Sequence, residues 1–417
     1  MAQLSDDCFA FGGPLMSVDE AVAIIAARVA AIGDVERVDL MQADGRILAA
    51  DLKAPLPLPP FTNSAVDGYA VRHSDLTGAA AQAFPLNGRV QAGASAQSLA
   101  AAAAMRIFTG APMPEGADTV FMQEDVQLDA EGRVVLPPGL KPGANVRPAG
   151  EDIAQGTAAL QAGQRLRPQD VALVAAFGLK EVDVIRRIRV AVFSTGNELL
   201  SPGDAPGAAQ QFDSNRFMLQ ALLRRLGCDV SDLGIIRDDR AALASSLRDA
   251  AGAHDLILTS GGVSTGEEDH VKAAVESVGS LVLWRMAIKP GRPVAMGIIS
   301  GTPFIGLPGN PVASFVTFAY VVRPTVFALA GAMQQKLTPM PLRAGFSYTK
   351  KIGRREYVRV HLRRGDDGAL EAVKFPREGA GLLSSLVETD GLVELGEDVT
   401  SVKPGAMVGF LAYASLC

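Results

Sequence analysis

Residues 259–269 read Thr-Ser-Gly-Gly-Val-Ser-Thr-Gly-Glu-Glu-Asp, directly behind the run Asp255-Leu-Ile-Leu258. Glycines let backbone N–H groups close on an anion, and the N-terminus of a following helix adds a favourable dipole. An apolar run that ends in glycines, hydroxyls and carboxylates therefore reads as a buried strand opening into an oxyanion-binding turn. The turn lacks the closing Gly-Lys-Ser/Thr of a Walker A loop and the Gly-x-Gly-x-x-Gly spacing of a dinucleotide site. Three carboxylates, Glu198, Asp238 and Asp269, and two cations, Lys289 and Arg292, lie in comparable loops. Carboxylates facing phosphate-binding cations suit Mg²⁺ bridging a phosphorylated substrate, because Mg²⁺ takes a few carboxylates plus phosphate and water oxygens. Plainer readings stand beside this one. Glu198 can cap a helix or face solvent, and Asp238, Asp239 and Asp269 can start the helices behind them, where acids suit the dipole. For Asp239 the helix-starting role is preferred. For Lys289 and Arg292 the two prolines and the glycine of Lys289-Pro-Gly-Arg-Pro293 favour a rigid anion clamp over solvated loop cations.

Bringing these residues together requires a particular set of elements. Hydrophobic spacing predicts strands over 188–193, 233–236, 255–258 and 281–288, and helices over 215–226, 240–251 and 268–278. The segment 302–307 leads into a helix from Pro311. Strand–helix alternation means βαβ units, a mostly parallel doubly wound sheet, and ligands beyond the carboxyl ends of its strands. Ser194–Glu198, Arg237–Asp239, Ser260–Asp269, Lys289–Pro293 and Leu307–Pro311 all fall just past strand ends, so they are expected to share one rim. The apolar stretch from Pro311 to Val322, cut by Arg323-Pro324, reads as a buried helix too short to span a bilayer.

Upstream, Ser17-x-x-Glu20 is a capping box opening a helix with Val22, Ile25, Val29 and Ile32 at helical spacing. Residues 52–165 are rich in Gly and Pro with short apolar runs, the texture of a β-rich module. Three stiff loops stand out there: Pro59–Ala70 with Asp67-Gly68, Thr109–Asp118, and Asn145–Asp152 with Arg147. They present polar groups from a rigid scaffold, and nothing in their spacing names a ligand. After residue 337 the texture is again β-like. The expected division is 1–52 with 156–187 as an N-terminal linking domain, 53–155 β-rich, 188–336 α/β, and 337–417 a small C-terminal β domain.

A chain of 417 residues exceeds one core. With 48% hydrophobic and 20% charged residues it reads as globular and soluble, and a formal charge of −6 argues against a nucleic-acid binder. Cys8, Cys228 and Cys417 are too scattered for a disulfide framework or a metal motif, and no signal pattern opens the chain, so a cytoplasmic protein is expected. Cys228 reads as a small buried residue, and His73, His254 and His361 as structural. His270 reads as a surface residue or a neighbour of the site and not a catalyst.

The ordered set Pro60–Tyr69, Thr109-Gly-Ala-Pro112, Gly150-Glu-Asp152, Ser194–Glu198, Asp213-Ser-Asn215, Ser260–Gly266, Lys289-Pro-Gly291 and Leu307–Pro311 resembles the molybdopterin molybdenumtransferase (MoeA-type) family, related to the gephyrin E domain. The resemblance covers nearly the whole chain. It implies an elongated multidomain homodimer that inserts molybdate into adenylylated molybdopterin with Mg²⁺, releasing AMP and the molybdenum cofactor. It implies Glu198, Asp238 and Asp269 at the metal, with Asp67 and Lys289 completing the catalytic set. Thr109, Arg147, Ser260, Gly261, Gly262, Ser264, Gly266, Arg285, Arg292, Pro308 and Pro311 would bind substrate. The cleft would lie between the α/β domain of one protomer and the β-rich domain of the other, with Asp67, Thr109 and Arg147 reaching across. Further implied partners are the molybdopterin adenylyltransferase and molybdoenzyme chaperones; nucleic acid and membrane are not. The dithiolene sulfurs belong to the substrate, so the protein needs no cysteine cluster.

Several positions depart from the family pattern. Thr62 and Asn197 stand where Asp is frequent, so neither adds a metal-binding charge. Arg285 stands for a frequent Lys, which keeps the charge and changes its geometry. His270 replaces a frequent Tyr, and Arg147 is the only arginine of its loop where the family commonly has more. Two rival functions are an adenylyltransferase that makes the adenylate, which shares the Gly-Gly-Val-Ser-Thr-Gly loop, and a gephyrin-like scaffold without catalysis. The Asp67 and Thr109 motifs argue against the first, and the retained carboxylates against the second.

Overall fold

The computed structural model describes residues 15–95, 97–237, 239–261, 270–333 and 336–416. The chain divides into two compact units. One comprises Met1–Ala49, Ala162–Arg167 and Asp183–Cys417, the other Ala50–Gln161 and Pro168–Val182.

The first unit is built on β1 (Arg189–Thr195), α1 (Asn215–Arg225), β2 (Asp229–Ile236), α2 (Arg240–Ala253), β3 (Leu256–Ser260), α3 (His270–Val278), β4 (Gly279–Arg285), β5 (Pro293–Ile299) and β6 (Thr302–Leu307). The sheet order is β2-β1-β3-β6-β5-β4. β1 runs parallel to β2 and β3, and β3 to β6, so the carboxyl ends of four strands share one rim. Alternation along β1 explains why both faces are covered. Val190 and Val192 pack with Leu219 and Leu223 of α1, while Ala191 and Phe193 pack with Leu243 and Leu247 of α2. Each of these Val, Leu and Phe side chains removed from water contributes about 1.5–3 kcal/mol.

Two features differ from the sequence reading. β5 was not foreseen and runs antiparallel to β6 and β4. A two-residue turn at Ser300 (φ 50°) and Gly301 (φ 86°) reverses the chain, and the unbroken apolar content of β5 and β6 hides the reversal. The strand expected over 281–288 stops at Arg285, because Ile288–Lys289 pairs instead with Arg355–Glu356 of a second sheet. That second sheet is the C-terminal one. Arg355–Arg364 pairs with both Leu370–Lys374 and Gly391–Leu395, which joins Met407–Ala412 and Met340–Ala344 into a closed ring.

α4 (Pro311–Leu329) is one 19-residue helix that continues through Arg323-Pro324. A π-turn over Phe318–Val322 precedes Pro324, and widening there accommodates a residue that lacks an N–H. By length and composition α4 could cross a membrane, but 89% of its apolar window is buried inside the fold. The first helix, Val18–Arg28, packs beside it, and its capping box forms as expected: Ser17 Oγ accepts from Glu20 N (3.2 Å) and Glu20 Oε2 from Ser17 N (2.8 Å).

The second unit is assembled from short strands. Leu86–Val90, Ala104–Ile107, Gly68–Val71 and Thr119–Met122 form one sheet; Gln82–Phe84, Val134–Leu136 and Gln127–Leu128 form another. Phe84, Phe121, Val134 and Leu136 fill its core.

Candidate functional site

A cavity of about 380 Å³ opens at the carboxyl ends of β1 and β3, lined by Ser194, Thr195, Glu198, Phe212, Asn215, Ser260, Gly261, Asn310 and Pro311 among others. The turn after β1 is shaped to present Glu198. Gly196 has φ 143°, a conformation that favours glycine, and a Cβ there would lie 2.6 Å from Glu198 Oε2, so a side chain at this position would push the carboxylate aside. Asn215, at the start of α1, holds the rim together. Its Nδ2 donates to Ser260 Oγ (2.8 Å) and to the Gly309 carbonyl (2.7 Å). A carbonyl can only accept, which fixes the amide orientation and leaves Oδ1 as an acceptor. Asn215 Oδ1, Ser194 Oγ and Thr259 Oγ1 are buried and find no hydrogen-bond partner among the described residues. Buried polar atoms left in this way cost about 1–3 kcal/mol each, which marks the rim as a place for a ligand.

Two expected anion donors do other work. The Gly261 N–H is spent on Leu307 O (3.1 Å), so Gly261 supplies shape. Ser260 is buried, and its hydroxyl is held by Asn215 beside Ser314 Oγ (3.4 Å). Asp213 is likewise consumed: its carboxylate pairs with buried Arg216 (2.8 Å), which also pairs with Asp232. Asp239 caps α2 by accepting from Ala242 N (2.7 Å), as preferred from sequence.

A second cavity, of about 370 Å³, lies between the α/β sheet and the C-terminal ring, and Asn310 lines both cavities. Its wall carries Lys289, Arg292, Arg359, Lys374 and Arg377 against two carboxylates, Glu356 and Glu378, with Pro308 at its edge. Gly291 is needed for the close approach of the Lys289 loop to α4: at φ 109° a Cβ would meet Thr317 Oγ1 at 2.5 Å. Lys289 Nζ lies 3.5 Å from buried Glu356 and 3.4 Å from Tyr348 Oη. Burial, and then the hydrogen bond to Glu356 (2.8 Å), push the Tyr348 hydroxyl above its ordinary range, so it is neutral. Glu356 is further held by Arg354 (2.6 Å) and Lys374 by Glu378 (2.9 Å), whereas Arg292 has no ion-pair partner among the described residues. Asn310 precedes the first turn of α4 and makes no side-chain cap, so the positive end of that dipole faces this rim.

In the second unit, Asp67 Oδ1 accepts from both Thr109 N (2.8 Å) and Thr109 Oγ1 (2.7 Å). Those two bonds hold the Asp67 carboxyl below its usual range. Arg147, on a strand paired with Asn63-Ser64, lies 3.7 Å from Glu151. Thr62 Oγ1 accepts from Ala149 N (3.2 Å), a structural use that fits its missing charge.

Of the expected site residues, Glu198, Ser260, Gly261 and Pro311 line the first cavity, and Lys289, Arg292 and Pro308 the second. Arg285, exposed at the end of β4, lines neither. Asp238, Gly262, Ser264, Gly266 and Asp269 lie outside the described residues. Among the described residues no three His, Cys, Asp or Glu side chains converge as a metal cluster, and Glu198 is the member of the expected acidic trio that can be located. Missed from sequence were Phe212, Tyr348, Glu356, Arg359, Lys374 and Arg377, while Asn310 was grouped with the rim only as part of Leu307–Pro311; alternation along 357–362 puts Arg359 on the polar face, but nothing local pairs that face with Lys289. His73 and His254 have structural roles as expected, each within 2.9 Å of a backbone carbonyl (Leu140 and Ala250). Cys228 is buried, its thiol pushed up by burial to about 12.

Three family models match the chain: the MoeA N-terminal region (domain I and II) over residues 16–178, the probable molybdopterin binding domain over 191–328, and the MoeA C-terminal region (domain IV) over 341–413. The molybdopterin molybdenumtransferase of Haemophilus influenzae is 38% identical over 377 residues, 89% of this chain and 92% of its own length. Molybdopterin molybdenumtransferase 2 of Mycobacterium tuberculosis is 36% identical over 404 residues, 94% of this chain and 98% of its own. A solved molybdopterin biosynthesis MoeA protein from Pyrococcus horikoshii superposes with a TM-score of 0.78 at 31% identity, covering 96% of this chain and 99% of that one.

Proposed function

The chain belongs to the molybdopterin molybdenumtransferase family of molybdenum cofactor biosynthesis, and from that premise we propose that it inserts molybdate into adenylylated molybdopterin by dividing the work between its two adjacent cavities. The observation that carries this reading is the pairing of a cation-free, partly unsatisfied rim around Glu198 with a cavity of five cationic side chains and two carboxylates. Molybdate is a compact divalent oxyanion. Lys289, Arg292, Arg359 and Lys374 suit it by charge, and the amino end of α4 adds to their field. The phosphoanhydride of the nucleotide ester occupies the Glu198 cavity, where Asn215 and Ser260 hold the strand ends in register. Thus the two reactants meet at Asn310, the shared wall.

Glu198 fits Mg²⁺ as one hard oxygen donor, since that ion is satisfied by one or two carboxylates with phosphate and water oxygens. Asp238 and Asp269 are proposed as further ligands. When bound, Mg²⁺ would supply charge neutralisation for the departing phosphate and so ease release of AMP. Glu198 would hold that charge at the cavity wall, where the absence of a Cβ at Gly196 leaves space for its carboxylate.

We further propose that two copies associate, with Asp67, Thr109 and Arg147 of one serving the cavities of the other, and that the reaction takes place in the cytoplasm. The test incubates purified protein with adenylylated molybdopterin, molybdate and Mg²⁺ and follows AMP and cofactor, the latter by reconstituting an apo-molybdoenzyme. Release of AMP that requires molybdate is expected. Formation of the adenylate from ATP and molybdopterin would instead assign the adenylyltransferase activity. Mixing inactive Asp67→Ala and Glu198→Ala chains should restore about a quarter of wild-type activity if sites are shared between copies; a mixture that stays dead removes the shared site.

A further inference from the structure

Phe212 is 46% exposed and lines the Glu198 cavity. Exposure of one phenylalanine means little by itself. What sets this one apart is how firmly it is held. Gln211 N donates to Glu198 O and Asp213 N to Leu200 O, both at 2.9 Å, so Phe212 sits between two backbone bonds to the segment that carries Glu198. Asp213, the next residue, is locked to buried Arg216. Phe217 offers a contrast: it is equally exposed, at 48%, but its ring stacks at 4.8 Å on the Arg216 guanidinium and does not line the cavity. Phe212 has no aromatic or cationic partner among the described residues. Leu383, 37% exposed, is a second apolar wall of the same cavity. Beside them the lining carries Ser194 and Asn215, whose buried side-chain oxygens lack partners among the described residues. An apolar face beside unsatisfied acceptors fits a ligand that is flat and apolar on its faces and carries N–H donors on its edge.

We propose that Phe212 is a specificity-determining platform on which a planar heteroaromatic ring of the substrate stacks. The inference rests on the functional reading above, whose substrate carries two such rings, an adenine and a pterin. Both present a π-face and donor edges, so the shared chemistry is named here and the probes separate the sources. Stacking of a base on an aromatic side chain is commonly worth about tenfold in affinity or more.

Binding of AMP and of neopterin to the full-length protein is measured by calorimetry for wild type, Phe212→Ala, Phe212→Tyr, Phe212→Leu and Phe217→Ala. The expected result is a loss of about tenfold or more for one probe in Phe212→Ala, retention within about twofold in Phe212→Tyr, and only partial recovery in Phe212→Leu, which has bulk but no π-face. Phe217→Ala should bind both probes as wild type does. In turnover, Phe212→Ala should raise KM for the adenylylated substrate with little change in kcat. Unchanged binding of both probes by Phe212→Ala, full recovery by Phe212→Leu, or an equal loss in Phe217→Ala overturns the platform. Wild-type protein that neither turns over nor binds either probe removes the functional reading and this inference together; normal wild-type turnover with an indifferent Phe212→Ala removes the inference alone.

Discussion

The strand Leu256–Ser260 has two ends that are treated in opposite ways. At its amino end Asp255 accepts from Arg189 N (2.8 Å), Arg189 Nη2 (3.0 Å), and Arg186 Nη1 (2.8 Å) and Nη2 (3.2 Å). At its carboxyl end Thr259 and the neighbouring Ser194 and Asn215 keep buried polar atoms without a partner among the described residues. Saturated polarity stabilises a fold. Polarity left open costs stability and is retained where a ligand completes it. On the function proposed above, one sheet carries its stability at one end and its chemistry at the other.

Substitutions at the two ends should separate the two properties. Glu198→Ala should lower molybdenum transfer by about a hundredfold to a thousandfold, the loss of a group acting on developing charge, with the melting temperature unchanged. Asp255→Ala should do the reverse. It leaves two arginines without their shared acceptor and should cost about 3 kcal/mol of stability, read by denaturant unfolding, while kcat is kept. A stability loss at Glu198, or a kinetic loss at Asp255 in fully folded protein, would break the division.

The amino end also sets a pH response. Burial pushes the Asp255 carboxyl up, but hydrogen bonds from Arg186 and Arg189 outweigh it and hold it at about 2, against an ordinary 3.8. A group depressed on folding contributes stability that is complete above its unfolded pKa and disappears as pH falls through the folded one. The window here is therefore from about pH 4 down to about pH 2, and the amount is on the order of 2 kcal/mol. Unfolding free energies measured across that window should fall less steeply in Asp255→Asn than in wild type. Equal slopes would mean that the acid sensitivity resides elsewhere.

This division also explains which parts of the site are visible in the chain alone. In a parallel sheet, every loop past a strand's carboxyl end shares a rim, so Glu198, Ser260 and Pro311 could be grouped from strand spacing without knowing any contact. The rule speaks of position and not of hydrogen-bond use. It therefore assigned anion donors to Gly261 and Ser260, whose N–H and O–H are turned to the carbonyls of Leu307 (3.1 Å) and Pro308 (3.4 Å). Asn215 was noticed as part of a motif, yet its role depends on reaching Gly309, 94 residues away. The cationic cavity lies beyond such reasoning altogether. It exists because Ile288–Lys289 leaves the expected strand to pair with Arg355–Glu356, and because Lys374 lies opposite Val360, next to Arg359, across an antiparallel ladder. Pairings between distant segments follow from the packed fold and leave no periodic trace.

That cavity extends the comparison to charge and yields the smallest effect. Lys289 and Lys374 are partly quenched by Glu356 and Glu378 in ion pairs, whereas Arg359, lowered in proton affinity by burial, spends Nη1 on the Gly379 carbonyl (2.6 Å) and feels Glu378 only at longer range, with no carboxylate ion pair among the described residues. If open polarity marks the ligand, Arg359 should matter more to molybdate than Lys374 does. Arg359→Met should raise KM for molybdate by about tenfold, near 1.4 kcal/mol, and leave AMP binding unchanged. Lys374→Met should raise it by about threefold, because removing that lysine also frees Glu378 to repel the oxyanion from a more exposed, salt-screened place. Both losses should be recovered by raising molybdate, so kcat stays near wild type. A larger effect at Lys374 than at Arg359, or a matching loss of AMP affinity, would show that the two cavities do not divide the substrates between them.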